Sequence, residues 1–465
     1  MKRKTDLPRH NMPMQKPYVR AKNWEEVNLG FTPEMARAEA LRCLECKKPL
    51  CVAGCPVRID IPGFLKFIEQ GDFIAAAQRI KDANALPAIC GRVCPQERQC
   101  EMGCILGKRH EPVAIGHLER FAADYLRRSG VSLKHNGIKP SGKKVAVVGA
   151  GPASLTAAGE LAKKGHTVTV FEALHRPGGV LVYGIPDFRL PKEIVDAEID
   201  ALKGLGVEIV TNYIIGRVED LNELLARFDA VFLGTGAGLP YFLNVPGETL
   251  NGVYSANEFL TRVILMKARE FPDYATPVKR GSRVVIIGCG DTAMDSARTA
   301  LRMGPQSVTV IYRRAKEDAP ARKEELLHAE EEGVLFRFLA NPVRFIGDES
   351  GWLKGVVCIE MEMGDPDESG KRRPVGKKGT EFTIETDTAV VAVGFGVNPT
   401  ITQTTPDLET NRYGVVVVDA ATGATSKKGV FAGGDVITGG STVISAMGQA
   451  KIAAGAIDKY LMNGG

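Results

Sequence analysis

Lys144-Val-Ala-Val-Val-Gly149-Ala-Gly151-Pro-Ala-Ser154 is a short apolar run entering a glycine turn, and Leu155 to Lys164 then reads as a helix. Val168-Thr-Val-Phe-Glu172 supplies the next strand, so the stretch spells a strand–helix–strand unit. Its glycines follow the dinucleotide fingerprint: Gly149 permits the tight turn, and Gly151 lets a pyrophosphate approach the backbone. The third position needs only to be small, so Ser154 serves where glycine is usual. Pro152 and Ala153 open the helix, whose N-terminal N–H groups and dipole face the diphosphate. Glu172, ending the second strand, is placed to accept from ribose hydroxyls.

The same grammar returns in Arg283-Val-Val-Ile-Ile-Gly288-Cys-Gly290-Asp291-Thr292-Ala293, with a helix from Met294 to Met303 and a strand, Val308-Thr-Val-Ile-Tyr312, ending in Arg313-Arg314. Two such units make an internal quasi-repeat, as two nucleotide-binding domains require. Guanidinium pairs with a ribose 2′-phosphate in bidentate fashion, whereas a carboxylate repels it. The second loop is therefore expected to take NADP(H) rather than NAD(H). Cys289 has no neighbouring thiol and reads as a small packing residue; Cys358, in the apolar run Val356-Val-Cys-Ile, reads as core. Ala230-Val-Phe-Leu-Gly234, Thr388-Ala-Val-Val-Ala-Val393, Gly414-Val-Val-Val-Val418 and Gly429-Val-Phe-Ala432 are further strand candidates. Lys371 to Lys378 reads as a surface hairpin or loop.

Ahead of this α/β region the chain is of another kind. Trp24-Glu-Glu-Val, Pro33-Glu-Met-Ala-Arg-Ala-Glu-Ala-Leu and Asp72-Phe-Ile-Ala-Ala-Ala-Gln-Arg-Ile carry helix formers with apolar residues three and four apart. Ser129-Gly130 to Gly142 has linker composition. Eight of the ten cysteines fall in this region, between the helical stretches or at their ends. One group is Cys43-Leu-Glu-Cys46, Cys51 and Cys55-Pro56; the other is Cys90, Cys94-Pro95, Cys100 and Cys104. In a reducing compartment such grouping is metal-ligand chemistry rather than disulfide bonding, and the Cys-Pro endings point to iron–sulfur clusters rather than zinc. A cluster carries single electrons and a nicotinamide carries a hydride, so a chain holding both needs a converter between them.

A chain of 465 residues allows about three domains. The net charge of +5 is too small to argue for nucleic acid, and no apolar run forms a leader or reaches membrane-spanning length. A cytoplasmic protein without nucleic-acid or membrane partners is expected. Lys2, Arg3, Lys4, Arg9, Lys16, Arg20 and Lys22 make a basic N-terminal arm, read either as a docking segment for a partner subunit or as a solvated terminus.

Cys90-Gly-Arg-Val-Cys94-Pro-Gln-Glu-Arg-Gln-Cys100, Gly179-Val-Leu-Val-Tyr-Gly184-Ile-Pro186, Phe188-Arg-Leu-Pro-Lys192, Gly290-Asp-Thr-Ala-Met-Asp295 and Ala432-Gly-Gly434-Asp435 carry a resemblance over essentially the whole chain. It resembles the small-subunit family of NADPH-dependent glutamate synthase. Relatives in that family include the large subunit of NADH-dependent reduced ferredoxin:NADP oxidoreductase, sulfide dehydrogenase and the N-terminal half of dihydropyrimidine dehydrogenase. The resemblance implies an α/β protein with an N-terminal α-helical double [4Fe–4S] domain and two Rossmann-like domains in a glutathione-reductase-like arrangement. The iron–sulfur domain is expected over 1–140, an FAD-binding domain over 141–250 and 388–465, and an NADPH-binding domain inserted at 251–387. FAD would sit on the first loop and NADP(H) on the second. Gly434-Asp435 would contact the ribityl and phosphate region, and a helix starting at Ser441-Thr442-Val443 would aim its N-terminus at the flavin pyrimidine. Gly234-Thr-Gly-Ala237 and Gly394-Phe-Gly396 would mark the crossings between domains.

The resemblance also assigns the clusters. Cys43, Cys46, Cys51 and Cys104 would hold one, and Cys55, Cys94 and Cys100 the other, with Glu119 in Ile115-Gly-His-Leu-Glu119 as its fourth ligand and Cys90 unligated. Hydride transfer from NADPH to FAD requires no acid–base residue, so no catalytic residue is nominated. The chain is expected to pass electrons to a partner redox subunit. One reading is the large subunit of an electron-bifurcating oxidoreductase, serving ferredoxin through the clusters and a partner flavoprotein with an NAD site. It is favoured by Cys46-Lys-Lys-Pro-Leu-Cys51, where glutamate-synthase small subunits more often carry Cys-Gly-x-Pro. The alternative is a small subunit feeding a glutamate synthase large subunit. A third, from another class, is a non-enzymatic scaffold with a structural zinc block.

Overall fold

The computed structural model describes residues 7–131, 137–366 and 372–464. Lys2, Arg3, Lys4, Lys371 and the centre of the linker read at Ser129 to Gly142 lie outside the described residues. The first part is helical, with Pro33–Ala40, Ile61–Gln70, Phe73–Lys81, Pro87–Val93 and Ile115–Ser129 as its main helices. Their starts are written in the sequence: Thr32, Asp60 and Asp72 each accept from a backbone N–H three residues on. Cys90 lies inside Pro87–Val93, and Cys51 inside the short helix Leu50–Ala53, rather than between helices.

Trp24 to Val27 is not helical. The Val27 N–H donates to Phe188 O at 2.9 Å, and Met14 bridges Asn28, so this segment runs extended across the molecule. Trp24 packs on Phe188 at 6.3 Å with Arg269 over its other contact surface at 4.7 Å. Long-range packing overrides a four-residue helical preference that has no cooperative length behind it.

Two five-stranded parallel sheets follow. The first runs Val430–Ala432, Ala230–Leu233, Lys144–Val148, Thr167–Phe171, Glu208–Val210; the second runs Val253–Ser255, Thr388–Val391, Arg283–Ile287, Ser307–Tyr312, Leu335–Phe338. Each glycine loop leaves a central strand. Thr388–Val391 therefore belongs to the second sheet, so the expected return to the FAD-binding half at 388 comes too early. The return crossing is Phe395–Gly396, which pairs antiparallel with Leu239–Pro240 on the outward crossing. Gly414 to Val418 forms only isolated bridges instead of a strand. There Asn411 Oδ1 accepts from the N–H groups of Tyr413 and Val415 and bends the chain into a turn. Arg372–Gly376 is a strand on the long Leu353–Pro366 hairpin, while Cys289 and Cys358 are buried packing residues, as expected.

The helical part is not an appendage. Its core is continuous with Leu181, Ile194, Ile444 and Met447 of the first nucleotide half. The N-terminal arm is built in as well: Arg9 pairs with Glu101 at 2.9 Å, and the fully buried Arg20 pairs with Glu331 and Glu332. Arg9 and Arg20 thus tie the described part of the arm into the fold, while Lys16 and Lys22 stay exposed. Glu332 also receives Arg298 and Arg302, each at 2.7 Å, and Arg298 reaches Glu325 too. Arg189, from the first half, grips both oxygens of Asp295 at 2.7 Å. Three parts of the chain are clamped by this buried charge network.

Removing one partner from such a network leaves an uncompensated charge and costs about 3–5 kcal/mol. Glu332→Ala is therefore expected to lower unfolding free energy by that order at pH 7, measured by denaturant titration. Burial alone raises the Glu332 carboxyl, but Arg298 and Arg302 outweigh it and hold it down at about 2. Its contribution is therefore fully present above the unfolded value of about 4.3 and fades as pH falls toward the folded one. The gap between the wild type and Glu332→Ala should be constant from pH 6 to 8 and narrow below about pH 4.

Candidate functional site

The two cysteine runs interlock at the backbone. A Cβ on Gly54 would lie 2.6 Å from Gln99 O, and one on Gly103 would lie 2.6 Å from Leu50 O. Each run thus threads past the other where only glycine fits. This crossing sets Cys51 beside Cys104, and Cys55 beside Cys100, instead of leaving two sequence-local groups.

Cys43, Cys46, Cys51 and Cys104 line one cavity, walled by Ile61, Leu65, Leu106 and Ile115, and all four are half-buried. Burial and the neighbouring thiols, Cys104 foremost, push Cys51 up to about 12. A cationic metal centre is the natural counter-charge for sulfurs gathered this way. Among the described residues no three His, Cys, Asp or Glu side chains close on a single ion. The sulfurs ring a space, which suits a multi-iron cluster.

The second group is fully buried. Cys55, Cys94 and Cys100 each feel the charge of Glu119, whose helix is pressed against the Cys90–Cys94 helix where a Cβ on Gly91 would meet Arg120 N at 2.6 Å. Burial pushes the Glu119 carboxyl up to about 8 against a single hydrogen bond, 2.6 Å from Asn84 Nδ2. Glu119 has no ion-pair partner among the described residues, and a buried carboxylate without one is costly. That fits a carboxylate placed to bind a cation. Cys90 Sγ instead contacts Met447 Sδ at 3.5 Å and Asn84 Oδ1 at 3.7 Å.

This inner group abuts the helix Val443–Met462. A Cβ on Gly448 would lie 2.9 Å from Pro56 O, Gln99 Nε2 donates to Thr442 Oγ1 at 3.2 Å, and Lys451 Nζ donates to Ala83 O at 2.5 Å. Thr442 caps the helix by accepting from Ser445 N, with Ser441 exposed just ahead of it.

At the first loop, Gly149 has φ +91° and backs onto Gly234 O, whereas a Cβ on Gly151 would meet nothing within 4 Å. Gly151 caps Pro152–Lys163 without any side-chain bond, leaving the first N–H groups aimed into that open space. Ser154 replaces the third glycine because its neighbour is also glycine: a Cβ on Gly234 would lie 2.2 Å from Ser154 Oγ. Gly434, at φ +85°, sits against Ala153, and Gly179, at φ +55°, against Gly151. Asp435 Oδ1 is buried without a hydrogen-bond partner, and burial raises its carboxyl. An orphaned acceptor beside an open glycine cradle is what the hydroxyls of a flavin nucleotide would satisfy. Glu172 accepts from the N–H groups of Ala150 at 2.7 Å and Leu174 at 2.8 Å, which leaves lone pairs for ribose hydroxyls. Tyr183, absent from the sequence-based set, lies between the Glu172 and Asp435 charges and is raised to about 12, chiefly by burial. Lys192 spends its ammonium on the carbonyls of Leu181, Ile185 and Leu190 and so fixes the turn holding Gly184.

The second loop repeats the cradle. Gly288, at φ +122°, backs onto Ala392 O, and Gly290 has near-open space at its Cβ position. Asp291–Arg302 starts at Gly290 with no side-chain cap; Asp291 accepts from Arg322 N at 2.9 Å, while Thr292 and Ala293 form the first turn. Arg313 is exposed and Arg314 half-exposed, and neither has an ion-pair partner among the described residues. Gly394, at φ +117°, lies under the Tyr241 ring at the crossing, two residues on from Ala392, whose O backs Gly288.

Residues 20–131 match the family model "dihydropyrimidine dehydrogenase domain II, 4Fe-4S cluster", and residues 143–450 match "pyridine nucleotide-disulphide oxidoreductase". The glutamate synthase [NADPH] small chain of Escherichia coli K12 is 36% identical over 461 residues, covering 98% of each chain. The NADP(+)-dependent formate dehydrogenase subunit beta of Moorella thermoacetica is 39% identical, over 89% of this chain and 60% of that one. Among solved structures, Mycobacterium tuberculosis FprA in complex with NADPH superposes with a TM-score of 0.59 at 22% identity, over 70% of this chain and 85% of that one, a likeness of fold. Among the described residues no helix is long and apolar enough to cross a membrane. The chain belongs to the glutamate synthase small-subunit family and is an FAD- and NADP-dependent iron–sulfur oxidoreductase.

Proposed function

We propose that the chain is an electron-input subunit: it takes reducing equivalents from NADPH at the second loop and delivers them singly, through two [4Fe–4S] clusters, to a partner redox subunit. The observation carrying this is the pair of cysteine groups, one buried against the Val443–Met462 helix and the other half-exposed. When bound, nicotinamide and flavin supply hydride chemistry and the clusters supply one-electron steps.

The chain's own residues bind, orient and exclude water. Gly149, Gly151, Ser154, Glu172, Gly179 and Asp435 cradle the FAD; Gly288, Gly290, Arg313 and Arg314 cradle the NADPH. Cys43, Cys46, Cys51 and Cys104 hold the outer cluster; Cys55, Cys94, Cys100 and Glu119 hold the inner. The start of the Val443–Met462 helix, capped by Thr442, would offer its positive dipole end to the pyrimidine of a bound flavin. The clamp of Arg189 on Asp295 holds the two nucleotide loops in register.

Gly151→Ala tests the flavin cradle: the added methyl meets no protein atom, so the melting temperature of the flavin-free protein should stay unchanged. FAD affinity should fall about tenfold or more, or ~1.4 kcal/mol, measured by fluorescence titration. Equal FAD affinity would place the flavin elsewhere.

The partner fits the glutamate-synthase type, supported by end-to-end similarity to such small chains. A second reading, a bifurcating oxidoreductase serving ferredoxin, is favoured by Lys47 and Lys48, exposed between outer-cage residues where an acidic one-electron carrier would dock. Purification with native partners decides. NADPH oxidation that requires glutamine and 2-oxoglutarate supports the first reading; ferredoxin reduction that requires NAD supports the second. In either case NADPH should bleach cluster absorbance in rapid mixing, and flavin reduction without any bleaching would sink the shared proposal.

A further inference from the structure

The inner cage offers more donors than a cubane cluster takes. Cys55, Cys94, Cys100 and Glu119 converge there, and Cys90 lies within hydrogen-bond reach of Cys94. We infer that Asn84 selects between the two candidates for the fourth position, presenting Glu119 and withholding Cys90. The inference rests on Glu119 being a cluster ligand, as proposed above.

Asn84 is completely buried in the turn after Phe73–Lys81, where its N–H donates to Ile80 O at 2.8 Å. The orientation of its amide is not free. The Leu86 N–H can only donate, and it points at one amide atom from 2.9 Å, so that atom is Oδ1. Nδ2 must then face Glu119 Oε1, 2.6 Å away. One carboxylate oxygen is thereby pinned, and Glu119 Oε2 has no hydrogen-bond partner among the described residues and is left for a metal.

The same amide disposes of the competitor. Cys90 Sγ donates to Asn84 Oδ1 at 3.7 Å and lies on Met447 Sδ at 3.5 Å, so the thiol already has partners other than the cage sulfurs. One buried side chain thus holds the ligating carboxylate with its donor end and the spare sulfur with its acceptor end. Asn84 is a positioning residue: it touches neither the cluster's cysteines of record nor any substrate.

The test is Asn84→Leu in the full chain, read by iron and acid-labile sulfide content and by EPR of the reduced protein. The inner cluster's signal should change as Cys90 replaces Glu119, while the outer signal stays as it was. Adding Cys90→Ser should then cost the protein one cluster's iron. An unchanged inner signal in Asn84→Leu, with iron retained in the double variant, overturns the proposal. Glu119→Ala separates this from its foundation. If that variant leaves the inner signal untouched, Glu119 is no ligand and the underlying reading fails; if it alters the signal while Asn84→Leu does not, selection by Asn84 alone fails. Should Asn84→Leu not fold, Asn84→Asp keeps the acceptor for Leu86 and sets like charge against Glu119. The same spectral change supports selection, and an unaltered signal overturns it.

Discussion

Cys51→Ser should yield protein with the outer cluster missing and the inner one present, and Cys100→Ser should yield the reverse. The two variants separate interleaved cages from two sequence-local groups of four, because Cys51 and Cys55 lie four positions apart yet are proposed to serve different clusters. Each effect should fall on one cage, since a thiolate removed from one set of four leaves the other set complete. Iron and sulfide analysis should report about half the wild-type content in both. The electron-transfer consequences should differ. In Cys51→Ser the flavin and the inner cluster should still reduce with NADPH, but transfer to an external acceptor should fall sharply. In Cys100→Ser the wire is cut next to the flavin, so the outer cluster should stay oxidised when NADPH is mixed in. Identical EPR signatures for the two variants would refute the partition. Cys90→Ser should retain both clusters.

Arg313→Ala should raise KM for NADPH by about 10- to 150-fold, the worth of one charge-assisted contact of ~1.5–3 kcal/mol, and leave NADH within about twofold. The guanidinium stands just past Ser307–Tyr312, exposed and without an ion-pair partner among the described residues, so its removal costs the fold little. If the contact is with the 2′-phosphate, as proposed, kcat at saturating NADPH should hold, since that group does not react. Steady-state kinetics with both nucleotides check this, and equal losses for NADPH and NADH would remove the 2′-phosphate from the explanation. Arg313→Lys should recover only part of the preference, since an ammonium lacks the fork that engages two phosphate oxygens.

The glycine loops were legible because their chemistry is local: a tight turn, a cradle and a helix start follow each other within a few residues. Both loops leave central strands of parallel sheets, as their spacing requires. The cysteine block was legible as ligands, but its division was not. Spacing alone suggested two groups, the family resemblance suggested interleaving, and the physical reason is the crossing at Gly54 and Gly103, a contact between distant segments. Arg189 and Asp295 each sat in a noted motif, yet nothing in either motif says that they bind one another. Asn84 carried no signal at all, since a lone asparagine after a helix reads as a cap. Trp24 to Val27 and Gly414 to Val418 misled for one reason: a short run's propensity is outweighed by a single packed aromatic or a side chain that captures the backbone.

The threading of one cysteine run past the other has a bearing on how the protein is made. With Gly54 against Gln99 and Gly103 against Leu50, neither cage can be finished while the opposite run is absent. The buried donors are then covered by the Gly91–Arg120 contact and by the Val443–Met462 helix, which comes last in sequence among the described residues. Metal reaching the buried cysteines is therefore expected to need the Val443–Met462 helix undocked, whereas the half-exposed group should load with that helix in place.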